Sequence, residues 1–316
     1  MSRSCPKLSL VVPCFNEEQM IAETIVRLKR VLSGLIDKGE IQGDSAIYFI
    51  DDGSTDRTWE IISESGGGLV KGVRLSRNYG HQLALLAGLN HVSGNTDCAI
   101  SIDADLQQDE AAIPLFIDKY KSGADIVFGV REDRKTDGIF KKWTALLFYK
   151  LMEYMGTPLI RNHADYRLTS DVALHVLGEY SEANVFLRGV FADMGLQRDY
   201  VTFSVKEREA GESKYTFRKM VSFALHGISS FSVAPLRIIS LLGIVIFGAS
   251  ALMGLYILMR NLLVGDTVPG WASTTLPIYF IGGLQMLSIG VIGEYVGNIY
   301  TQTKARPRYI VRGILD

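Results

Sequence analysis

No G-x-G-x-x-G follows the first apolar run, and no G-x-x-x-x-G-K-[ST] occurs anywhere in the 316 residues. The phosphate-cradling loops of dinucleotide-binding and P-loop proteins are therefore missing. Cysteine is scarce: Cys5, Cys14 and Cys98 are odd in number and lie in or near strand-like runs. This argues against a disulfide framework and for reduced thiols in a cytosolic compartment. The five histidines are scattered without ligand spacing, which argues against a zinc site. A formal net charge of −1 leaves no basic footprint for nucleic acid. Residues 8–13 are apolar but too short for a signal-peptide h-region, and acidic residues follow at once, so they read as a first buried strand.

What the chain has in excess is apolar sequence, unevenly spread. Hydrophobic residues make up 47% of it, with mixed composition over residues 1–230 and a mostly apolar stretch over 231–300. Residues 238–259 carry no charge, and neither do residues 267–293. Each is long enough for the ~20 residues of a spanning helix, and a connector with Gly265, Asp266, Pro269 and Gly270 suits a short turn. A two-helix transmembrane hairpin is expected, with spans at about 238–259 and 274–295. The tail 301–316 is basic, with Lys304, Arg306, Arg308 and Arg312, and the positive-inside rule puts it in the cytosol. Two spans return the chain to its starting side, so the N-terminal domain is expected there too. Segments 140–155 and 215–231 mix lysines with aromatic and apolar groups, a composition that suits helices at a membrane interface.

The first half alternates short apolar runs with helical periodicity. Strands are expected at 8–12, 46–50, 72–75, 98–102 and 125–129, and helices at 20–35, 56–64, 80–91 and 110–121. A β, α, β, α succession with nearly continuous apolar strands implies an α/β, Rossmann-like domain, its mostly parallel sheet covered on both faces. Ligands of such sheets bind beyond the carboxyl ends of the strands. Asn16-Glu17, Asp51-Asp52 and Asp103-Ala104-Asp105 all fall at or just past such ends. The last pair, one residue apart, offers hard oxygen ligands for Mg²⁺ or Mn²⁺ and, through the metal, for a diphosphate. Asp56 reads as turn and helix-cap chemistry.

Pro13-Cys14-Phe15-Asn16-Glu17-Glu18, Asp51-Asp52-Gly53-Ser54 and Asp103-Ala104-Asp105-Leu106-Gln107, in that order, resemble an inverting family 2 glycosyltransferase of GT-A fold. Asp165-Tyr166-Arg167-Leu168, Gly211-Glu212-Ser213-Lys214 and the apolar hairpin narrow the likeness to the polyprenyl-phosphate glycosyltransferases. These include bactoprenol glucosyltransferases, aminoarabinose-transferring relatives and dolichol-phosphate mannose synthases. Ala164 stands where family members often carry glycine.

The resemblance implies roles position by position. Pro13, Phe15 and Glu17 line the nucleotide pocket, Asp52 with Asp51 accepts from the base, and Arg77 belongs to a closing loop. Asp103, Asp105 and Gln107 hold Mg²⁺ or Mn²⁺ and the donor diphosphate. Asp165 serves as base or orienting group beside Arg167. Arg131, Arg134, Arg208 and Lys214, with Arg167, are candidates for the lipid phosphate. The implied reaction moves a sugar, glucose from UDP-glucose first, to undecaprenyl phosphate at the bacterial inner membrane. The product is a donor for cell-surface glycans such as lipopolysaccharide O-antigen, made by a homo-oligomer. Aminoarabinose, N-acetylhexosamine and mannose are alternatives, as is a non-catalytic membrane scaffold. A processive synthase is disfavoured by the lack of Gln-x-x-Arg-Trp.

Overall fold

A computed structural model describes residues 3–131, 163–182, 185–204, 234–264 and 271–316. The expected interfacial helices at 140–155 and 215–231, and with them Arg134, Arg208 and Lys214, lie outside the described residues. The chain divides into two compact units, one holding the sheet together with Arg306–Asp316, the other the two long C-terminal helices as far as Ala305.

The sheet unit begins with β1 (Leu8–Cys14), buried along its whole length. It pairs in parallel with β2 (Ala46–Asp51) on one side and β4 (Cys98–Ser101) on the other. β3 (Val70–Leu75) extends the parallel run from β2. Pro13 has no N–H to give, and it sits beyond the last β1–β4 pair, Val11 with Ser101, where no ladder bond is lost. Helix α1 (Ile21–Asp37) buries Ile21, Ile25, Leu28, Leu32 and Leu35, the three-to-four-residue stripe of an amphipathic helix. Helices α2 (Thr58–Glu64) and α3 (His81–Val92) follow β2 and β3. Gly88 of α3 lies so close to the sheet that a β-carbon there would meet Val11 Cγ1 at 2.5 Å and Ile50 Cγ1 at 2.7 Å. After β4 a short 3₁₀ turn (Glu110–Ala112) leads into α4 (Ile113–Lys121), then β5 (Ile126–Arg131).

The five expected strands and four helices all form, their ends shifted by a few residues. Three further strands went unread. β6 (His163–Ser170) inserts antiparallel between β4 and β5, β7 (Arg198–Phe203) runs parallel to β5, and β8 (Val311–Leu315) adds an antiparallel edge to β3. The order is β7-β5-β6-β4-β1-β2-β3-β8. α5 (Asp171–Glu179), capped by the Ser170 hydroxyl accepting from Ala173 N–H, and α6 (Leu187–Asp193) lie between β6 and β7. All three cysteines are free, and burial pushes the Cys14 and Cys98 thiols up.

The second unit holds α7 (Ala234–Val264) and α8 (Trp271–Thr303), which pack on each other. Both present large apolar side chains to solvent, among them Leu241, Ile244 and Leu252 of α7 and Ile278, Met286 and Ile299 of α8. Among the described residues one segment of 24 residues, Phe280–Thr303, is long and apolar enough to cross a membrane, its most apolar 18-residue stretch having a mean hydropathy of 1.3 with none of that stretch buried. At about 1.5 Å per residue it exceeds the ~30 Å hydrocarbon layer. The expected hairpin is thus established as two long apolar helices and one crossing-competent segment, not as two spans.

Candidate active site

The site is built at the carboxyl ends of β1, β2 and β4. The loop after β1 is tied to the loop after β2. Asn16, at φ 53°, donates its N–H to Ser54 Oγ (3.0 Å), and its Oδ1 accepts from Thr55 N–H (2.9 Å). Glu17 N–H donates to Thr58 Oγ1 at 2.9 Å. Asp56 accepts from the N–H and hydroxyl of Thr58 and from Glu18 N–H, the turn and cap chemistry expected of it.

Asp51 and Asp52 are both buried, and burial raises both carboxyls. Asp51 Oδ1 accepts from Ser54 N–H at 3.0 Å, while Arg74 Nε stands 3.3 Å from Oδ2 without the alignment of a hydrogen bond. Asp52 accepts from Tyr79 N–H (2.7 Å) and Gly80 N–H (2.8 Å), holding the 77–80 loop against the sheet. Gly53, at φ +68°, makes this approach possible: a β-carbon there would stand 2.5 Å from the Arg77 carbonyl carbon. Phe15, Gly53, Ser54, Thr55, Arg77 and their neighbours line a cleft of about 390 Å³.

The second cluster lies at the end of β4. Asp103 exchanges hydrogen bonds with the Gln108 amide, its N–H donating to Oε1 at 3.0 Å while Oδ2 accepts from Nε2. Asp105 Oδ1 accepts from Gln107 N–H at 3.2 Å, with Leu106 between them at φ 54°. Burial, then the charges of Asp165 and Asp105, push the Asp103 carboxyl up to about 6. His81, first residue of α3, sets Nε2 at 3.8 Å from Asp103 Oδ1 and 3.6 Å from Asp165 Oδ2. Against the burial that would lower it, a hydrogen bond to Asp165 and the charges of Asp103 and Asp165 raise its imidazole to about 9.

Asp165 and Arg167 share one face of β6. Arg188 of α6 grips Asp165 through two bonds, Nε to Oδ1 at 3.1 Å and Nη2 to Oδ2 at 3.0 Å. Despite burial, Arg188 and His81 hold the Asp165 carboxyl well below the usual range. Arg167 Nη2 stands 3.7 Å from Asp165 Oδ1, with its guanidinium over Phe191 (4.1 Å) and Phe128 (5.6 Å). Two expected site residues, one from each half, are therefore joined through His81. That histidine, Arg188 and Gln108 went unread: a lone histidine after Tyr79-Gly80 and a lone arginine in Phe186-Leu187-Arg188 carry no spacing signal. Arg131 closes β5, and its charge lowers Asp103.

No cluster of three or more His, Cys, Asp or Glu with metal-holding geometry occurs among the described residues. Mg²⁺ is typically held by one or two carboxylates with water and substrate phosphates completing the shell. Asp103 and Asp105, two hard carboxylates just past the end of β4, fit that arrangement, which leaves the rest of the shell to water and a substrate phosphate.

A family model described as Glycosyl transferase family 2 matches residues 9–178, the span carrying all three acidic strand ends and Asp165. The chain belongs to glycosyl transferase family 2. It is thus a glycosyltransferase, and the GT-A expectation holds for its sheet domain. Relatives match over nearly the whole chain. An uncharacterised glycosyltransferase of Bacillus subtilis, YkoT, is 50% identical over 98% of this chain and 93% of its own length. The bactoprenol glucosyl transferase of Shigella phage SfX is 39% identical over 97% of this chain and 99% of its own. A solved structure, glucosyl-3-phosphoglycerate synthase from Mycobacterium tuberculosis, aligns at TM-score 0.47 with 17% identity over 72% of this chain and 78% of that one. Arg188 lies beyond the residues matched by the family 2 model.

Proposed function

We infer that this family 2 enzyme transfers glucose from UDP-glucose to a polyprenyl phosphate, undecaprenyl phosphate in a bacterial inner membrane. The observation that carries this reading is the near full-length likeness to bactoprenol glucosyl transferases, which extends through the apolar helices that a lipid acceptor requires. The site suits the chemistry. A phosphate oxygen of the acceptor forms the new bond to the sugar's anomeric carbon as the bond to UDP breaks, from the opposite face, so configuration inverts. Mg²⁺ or Mn²⁺ at Asp103 and Asp105, with Gln107 adjacent, supplies Lewis acidity to the leaving diphosphate. Phe15, Arg77 and the Gly53–Thr55 loop border the nucleotide, with Pro13, Glu17, Asp51 and Asp52 fixing those loops.

A phosphate monoester has a second pKa of about 6 and is already largely dianionic at neutral pH, so it needs little deprotonation. Asp165 has both oxygens engaged by Arg188, which favours an orienting role over a basic one. Arg131, with Arg134, Arg208 and Lys214, supplies cations for the lipid phosphate, while Arg167, fully buried behind Asp165, acts through that carboxylate. The membrane reading adds a second span in the uncharged part of α7 to the segment in α8, with the sheet domain on the cytosolic side. The scaffold alternative is separated by Asp105→Asn: with Mg²⁺ present, glucosyl transfer to undecaprenyl phosphate falls at least about 100-fold. Transfer at the wild-type rate overturns the assignment of Asp105.

A further inference from the structure

The family resemblance assigns Gln107 to the metal, yet the glutamine that the fold sets on Asp103 is its neighbour. One amide takes both the backbone and the side chain of Asp103: Gln108 Oε1 accepts from Asp103 N–H at 3.0 Å, and Nε2 donates to Oδ2. The pairing fixes which way the amide points, because turned over it would set oxygen against carboxylate and NH₂ against N–H. Gln108 is only 2% exposed, so water does not compete for either bond. Oδ1, the other oxygen of Asp103, accepts no hydrogen bond among the described residues and has His81 Nε2 at 3.8 Å. The Asp103 side chain is 30% exposed, within reach of an ion from solvent.

The segment that carries this pair is pinned at both ends. Thr24 of α1, fully buried, donates its hydroxyl to the Ala104 carbonyl at 2.8 Å. Just past Gln108, the Tyr166 hydroxyl of β6 donates to the Asp109 carbonyl at 3.1 Å, and Arg27 Nε of α1 donates to Glu110 Oε1 at 2.8 Å. The Asp109 side chain also caps the 3₁₀ turn by accepting from Ala111 N–H. Gln108 therefore reaches Asp103 from a braced loop, and it leaves that carboxylate with one oxygen to give. The distinction matters for the ion. Mg²⁺ demands a near-octahedral shell, which the two close oxygens of a single carboxylate fit poorly, whereas Ca²⁺ readily takes both.

We propose that Gln108 is a positioning residue for the metal: by engaging Oδ2 it presents Asp103 through Oδ1 alone, and so selects Mg²⁺ or Mn²⁺ over Ca²⁺. This rests on the reading of Asp103 and Asp105 as metal ligands and adds the residue behind them. The test reads metal binding, not turnover. Mn²⁺ is titrated into the full chain in detergent, with and without UDP and against added Ca²⁺, and followed by the relaxation rate of water protons, which rises when the ion joins a slowly tumbling chain. Gln108→Met fills the same length but offers neither bond. It is expected to weaken Mn²⁺ at least about tenfold, as is usual when a partner of a metal-ligating group is removed. It is also expected to lower the preference for Mn²⁺ over Ca²⁺ and to leave metal-free binding of uridine unchanged. Gln108→Asn, a methylene too short to close both bonds, carries the same expectations and is read in its place if Gln108→Met does not fold. Unchanged Mn²⁺ affinity or an unchanged preference over Ca²⁺ overturns the proposal, as does an equal loss for uridine, which a purely structural role would give. A wild-type chain that holds no Mn²⁺, with or without UDP, overturns the metal reading itself, and this inference with it.

Discussion

Arg167 is fully buried, yet none of its three guanidinium nitrogens has a hydrogen-bond partner. Burial lowers it only to about 10, so it stays charged at neutral pH. What compensates the desolvation is electrostatic: the Asp165 carboxylate at 3.7 Å and the faces of Phe191 and Phe128. Asp165 in turn is shared among Arg167, Arg188 and His81, with only Arg188 bonding both of its oxygens. Arg188 is therefore the residue that fixes where the carboxylate points. Arg188→Lys keeps the charge but loses the planar fork. It is expected to reduce kcat about 10- to 100-fold and to leave UDP binding intact, which steady-state kinetics with calorimetry would read. Arg188→Met leaves Asp165 without its bidentate partner. Because Arg188 is 32% exposed, its cost belongs at or below the low end of the ~3–5 kcal/mol for breaking a buried pair.

Among the elements, the contact of α3 with β1 and β2 sets the position of His81 and hence the bridge between Asp103 and Asp165. Gly88 permits that contact. Gly88→Ala drives a methyl into Val11 and Ile50, both fully buried, and is expected to destabilise by about 1–3 kcal/mol. Thermal melting checks this, and an unchanged melting temperature contradicts the packing. The parallel elements were legible because their strands are continuous apolar runs and α1 repeats its apolar face at helical spacing. β6 was not: Asp165 and Arg167 give His163–Ser170 the polarity of a surface loop, although the strand is central and its charges neutralise each other. β8 was hidden for another reason. Its Val-Arg-Gly-Ile-Leu pattern is too short to announce a partner some 240 positions earlier in the chain. Acidic strand ends were readable from position alone, whereas His81 and Arg188 gain meaning only from what the fold brings beside them.

On the scale of the whole molecule, a family 2 catalytic sheet shares its chain with two long helices that expose many large apolar side chains, Leu241, Ile244, Leu252, Ile278, Met286 and Ile299 among them. Such surface marks a membrane or protein interface, and the lipid-linked phosphate proposed as acceptor accounts for its presence in the same chain as the catalytic sheet. The sugar is set by cleft contacts finer than any motif, so it is the donor that experiment must name. The deciding measurement incubates the purified full chain, Mg²⁺ or Mn²⁺ and undecaprenyl phosphate with a panel of radiolabelled UDP- and GDP-sugars, and follows label into the lipid phase. The account predicts a lipid monophosphosugar formed from UDP-glucose ahead of every other donor. No labelled lipid from any donor contradicts the assigned reaction, and preferential labelling from another sugar nucleotide contradicts the assignment of glucose.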